Sequence, residues 1–89
     1  MNSEQAQAVA QFLSMSNEML SIGIDKFTML KEKSEQMKAM EGAPAPVIAK
    51  QDELITGCDT SLETIGGMQR TLSELQAMFA QEQEVPPEE

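Results

Sequence analysis

Any chemistry this chain performs must come from carboxylates, one thiol or eight methionines, because the sequence contains no histidine. The commonest catalytic base and transition-metal ligand is therefore missing. Two carboxylate pairs stand out: Asp52-Glu53, adjacent, and Asp59 with Glu63, one helical turn apart. A di-iron bundle needs Glu-x-x-His from its helices. The twelve residues from Asp52 to Glu63 have the length of an EF-hand loop, but Leu54 stands where such a loop needs an oxygen ligand. Cys58 has no histidine to form a thiol dyad, and its place on an apolar helical row marks it as a small buried hydrophobe. The methionines recur at helical spacing without Cys or His around them, which reads as core packing, not a soft-metal site. No glycine-rich loop follows a strand, and Gly66-Gly67 lacks phosphate-loop spacing. The expectation is a protein that is not an enzyme and that takes no cofactor or metal.

Composition narrows the class further. Eighty-nine residues allow one small domain. Phe12, Phe27 and Phe79 are the only aromatic residues, so a long, thin helical packing is favoured over a globule with an aromatic centre. The net charge is −9, which repels phosphate; neither nucleic acid nor an anionic membrane surface is an expected partner. A single cysteine provides no disulfide framework and fits a reducing cytoplasm. No secretory signal is recognisable, and no apolar run approaches the roughly 18–20 residues that span a bilayer.

The elements are organised around the break Glu41-Gly42-Ala43-Pro44-Ala45-Pro46. Pro44 and Pro46 lack an amide hydrogen and disfavour helical geometry in the residue before them. Residues 4–41 and 47–84 flank this break, both with apolar residues at helical spacing. The pattern predicts helix 4–41, turn 42–46 and helix 47–84 in one hairpin domain, residues 1–84. Asn2 and Gln5 have the spacing of a capping box. In the first arm, rows seven apart are Leu13-Leu20-Phe27-Ser34, Val9-Ser16-Gly23-Leu30-Met37 and Ala8-Met15-Ile22-Met29. From Phe12 to Leu30 the apolar arc covers about 200°, roughly twice what one partner helix needs. Ser16 and Gly23 sit mid-arc, where Gly23 invites close approach of another backbone. Lys26 to Lys38 forms a charged, solvated flank.

The second arm keeps a stricter register: Gln51-Cys58-Ile65-Leu72-Phe79 beside Ile48-Ile55-Leu62 and Leu54-Ser61-Met68-Leu75. Gln69 and Gln76 are polar exceptions that either fix register or sit at an edge. Gly57 and Gly66-Gly67 are potential stops, and Thr60 with Glu63 and Thr71 with Glu74 match capping boxes, which would divide the arm into shorter helices. The unbroken apolar phase through Ile65, Met68 and Leu72 favours one helix, kinked near Gly66-Gly67. Residues 85–89 are expected to be a disordered acidic tail.

Folded as an antiparallel hairpin, facing residues should have numbers that sum to about 88. That pairs Gly23 with Ile65 and Phe27 with Ser61, small against large. The expected interaction face comprises Phe12, Leu13, Met15, Met19, Leu20, Ile22, Gly23, Phe27 and Leu30 with Leu62, Ile65, Met68, Leu72, Leu75 and Phe79. A lone hairpin cannot cover so broad a stripe, so a second hairpin should complete a four-helix bundle. The expected function is a coiled-coil-like protein–protein interaction module: a homo-oligomerising (dimeric) structural or adaptor subunit, with another helical protein as the alternative partner. In size and shape the hairpin resembles type III secretion chaperones and the WXG100 class of secreted hairpins, although its turn has no Trp-x-Gly. That resemblance implies, as an alternative, a small acidic chaperone or secreted partner of a specialised secretion system. A further alternative is a phage-type regulator or inhibitor whose carboxylates imitate nucleic-acid charge.

Overall fold

The computed structural model describes residues 2–84, with side chains through Gln81. It consists of α1, Ser3–Lys38, and α2, Ala45–Glu84, packed side by side with no strand among the described residues. Residues 85–89, expected as an acidic tail, lie outside the described residues.

Helix α1 starts where its capping box places it. Asn2 is extended (φ −81°, ψ 173°); its Oδ1 accepts from the Gln5 amide at 2.8 Å, and Gln5 Oε1 accepts from the Asn2 amide at 3.1 Å. The helix ends at Lys38, three residues before the expected 41. The Met40 amide reaches back only to the Met37 carbonyl, and the Ala43 amide to the Met40 carbonyl, so the chain tightens into a turn before Gly42. Gly42 then reverses direction at φ +80°, a left-handed value that suits glycine.

Helix α2 begins at Ala45, two residues earlier than expected. Pro44 acts as its cap: its carbonyl accepts from Val47 at 3.0 Å and from Ile48 at 3.1 Å. Pro46 falls in the first turn, where its missing amide hydrogen would have had no partner inside the helix. From there α2 runs through Gly57, Gly66 and Gly67 as one element. The two competing capping boxes do not form. Thr60 Oγ1 donates to the Thr56 carbonyl and Thr71 Oγ1 to the Gly67 carbonyl, each four residues back, as hydroxyls do inside a helix.

The two rods form a molecule 75 × 16 × 13 Å, with a radius of gyration of 20.2 Å against about 12 Å for a compact chain of this length. The interior is one seam wide. Cys58, Ile65 and Leu72, seven apart, are its buried apolar side chains, and Ser34 is buried at the turn end of α1's inner row. At its middle, a Cβ built on Gly23 would lie 3.1 Å from Ile65 Cδ1, so the expected Gly23–Ile65 layer is present and close. Gln69 is half-buried and Gln76 is exposed at the seam's edge.

Candidate interaction face

The expected face divides in two. Ile65 and Leu72 are buried, and Leu13, Leu20, Gly23, Phe27, Leu62, Leu75 and Phe79 are half-buried. Most of these form the seam that joins α1 to α2. Phe12, Met15, Met19, Ile22, Leu30 and Met68 are exposed; Met19 keeps 65 % of its surface and Ile22 50 %. Turning about 100° per residue, most of the exposed side chains on α1 lie to one side of the seam. They are spaced three and four apart, from Ala8 through Phe12, Met15, Met19 and Ile22, and after Lys26 to Met29. This is a second heptad stripe beside the one α2 occupies.

Helix α2 continues the same side of the molecule. Phe12, Ser16, Met19 and Leu20 of α1 share an open apolar groove of about 360 Å³ with Met68, Thr71, Leu72 and Leu75 of α2. The groove has the volume of a small-ligand site, but no set of polar side chains converges in it to orient a ligand. On α2 the 3-4 spacing runs Leu54, Gly57, Ser61, Thr64, Met68, Thr71, Leu75, Met78, without a charge. The hydroxyls of Thr64 and Thr71 donate to the carbonyls of Thr60 and Gly67, at 3.0 and 3.1 Å, leaving neither proton in need of an outside acceptor.

The opposite side of the seam is charged and bridged by ion pairs. Lys31 Nζ meets Asp59 at 2.7 Å, and Lys38 Nζ meets Asp52 at 2.7 Å. The hydrogen bond to Asp59, reinforced by its charge, raises the Lys31 pKa above the ordinary lysine value. Three of the four carboxylates singled out for chemistry are thus engaged: Asp52 and Asp59 bridge the helices, and Glu53 binds Lys50 at 3.2 Å, while Glu63 is exposed. Among the described residues no group of three or more His, Cys, Asp or Glu side chains could hold a metal ion. Cys58 is buried. Among the described residues no helix is long and apolar enough to cross a membrane.

Met29, Leu54, Met78 and the cross-helix ion pairs were outside the expected face. The signal for each was present. Rows seven apart that are offset by three or four describe a stripe, and both Lys31 with Asp59 and Lys38 with Asp52 sum to 90, close to the hairpin's pairing rule. No family model matches this chain, no curated protein matches it, and no solved structure matches it.

Proposed function

We propose that the chain is a non-enzymatic protein–protein interaction module, a helical hairpin that pairs with a second copy to complete a four-helix bundle and serves as a structural or adaptor subunit. The observation that carries this reading is the second heptad stripe. Both helices present a stripe at 3-4 spacing on the same side, uncharged on α2 and interrupted on α1 at Lys26 and Lys33, and neither stripe has a partner among the described residues. Large apolar side chains held half-exposed in a contiguous row mark an interaction surface.

The elongated chain leaves more surface open than a compact one. The chain exposes 6884 Å². A compact monomer of 9.8 kDa exposes about 5,200 Å². The excess, about 1,700 Å², comes from the elongated shape, and a standard interface takes only about 800 Å² from each partner. A homodimer also needs no second gene product to satisfy it, and two-fold dimers are the commonest closed assembly.

Sedimentation equilibrium at micromolar concentration tests the reading. The expected mass is twice 9.8 kDa. A fully helical species at the monomer mass across the micromolar range would overturn it.

A further inference from the structure

We infer that the second copy lies antiparallel on α1, with the two-fold axis passing between Met19 and Ile22, and that Lys26 and Lys33 set this arrangement by meeting acids of the partner; the inference rests on the self-association proposed above. The stripe on α1 is apolar except at these two lysines. Neither takes part in any of the ion pairs among the described residues, which use Lys31, Lys38 and Lys50. A charge on a heptad stripe costs stability and selects register, because the partner must answer it.

Three face-to-face arrangements can be compared. A parallel, in-register pairing of α1 with α1 sets Lys26 on Lys26 and Lys33 on Lys33, like charges in an apolar row. Rotation about the long axis instead sets α1 on the partner's α2, whose free stripe has no charge from Leu54 to Met78; on the row bordering it, Thr60 falls nearest Lys26, and Glu53, already held by Lys50, falls nearest Lys33, so Lys26 has no acid to meet. Antiparallel pairing of α1 with α1 is different. When Met19 layers on the partner's Ile22, facing residue numbers sum to 41. Phe12 then meets the partner's Met29, a favourable sulfur–aromatic contact. Lys26 lays its stem over the partner's Met15 and Lys33 over the partner's Ala8.

The border of the stripe supplies the charge. Glu4, Glu18, Asp25 and Glu32 fall on one row, spaced by sevens and bordering the stripe away from α2. In the antiparallel register the Lys26 ammonium comes within reach of the partner's Glu18, and Lys33 within reach of the partner's Glu4. Every such contact occurs twice by symmetry. The axis passes beside Met19, the most exposed large apolar side chain among the described residues, and on α2 it falls beside Met68, in the same groove.

Disulfide trapping tests the register separately from association. In a Cys58→Ala background whose dimer mass has been verified by sedimentation, Phe12→Cys and Met29→Cys chains are mixed and mildly oxidised. The expected product is the mixed F12C–M29C dimer. Self-linked F12C dimers show a parallel pair, and linkage of F12C to a Leu75→Cys chain shows α1 on α2; either result overturns this inference while leaving the dimer intact. A dimer that traps in none of these pairings overturns it as well. A monomer in the absence of oxidant overturns both this inference and the reading it rests on. Charge exchange adds a readout without cysteine. Lys26→Glu should weaken association about tenfold, and adding Glu18→Lys should restore it to within about threefold of the parent. Failure of the second change to rescue the first contradicts the Lys26–Glu18 contact.

Discussion

Glycine positions separate the close contacts in this hairpin from the open ones. A Cβ on Gly67 would meet nothing within 4 Å, so Gly67→Ala should raise stability by about 0.5–1 kcal/mol through helix propensity alone. Gly23→Ala gains the same propensity but pushes against Ile65 Cδ1, and should gain less. Gly42→Ala should lose about 1 kcal/mol, because its φ of +80° strains any side chain. Urea melts of the three variants check the order. Lys31 offers a pH test. Its folded pKa is raised, so its ion pair contributes below the ordinary lysine range and is lost as pH climbs through the raised value. Melting temperature should therefore fall between about pH 10 and pH 12 more for the parent than for Lys31→Met. The effect should be small and weaker in high salt, since the pair is exposed to solvent.

The elements show what a sequence can and cannot disclose here. The capping box and the Gly23–Ile65 layer were readable because each depends on neighbours at fixed spacing. The helix ends were less so: Pro46 looks like a breaker, yet in a first turn it has no hydrogen bond to lose. The cross-helix ion pairs are readable only with the register applied, because exposed lysines read as a solvated flank until it brings aspartates opposite them. Most consequential, an arc of about 200° states how much apolar surface α1 has, not which half its own mate takes. Rows of Ala8-Met15-Ile22-Met29 and Phe12-Met19 already held the answer. Substitutions on the two stripes should behave differently. Ile65→Ala empties the middle of the narrow seam and should cost about 2–4 kcal/mol in folding. Met19→Ala, on the outer stripe, should leave the helicity of the chain unchanged and weaken association instead, as read by paired circular dichroism and sedimentation.

At the scale of the whole molecule, a seam with three buried apolar side chains among the described residues leaves little to hold two long rods together. Association that covers the outer stripe would stabilise the fold by mass action, so melting temperature should rise with protein concentration. Small-angle X-ray scattering tests the central claim most directly, because it reads mass and length together. Two hairpins stacked face to face should double the forward-scattering mass while the longest dimension of the helical body stays near the 75 Å of one chain. A monomer mass, or a doubled mass with a length near twice that value, would contradict the account.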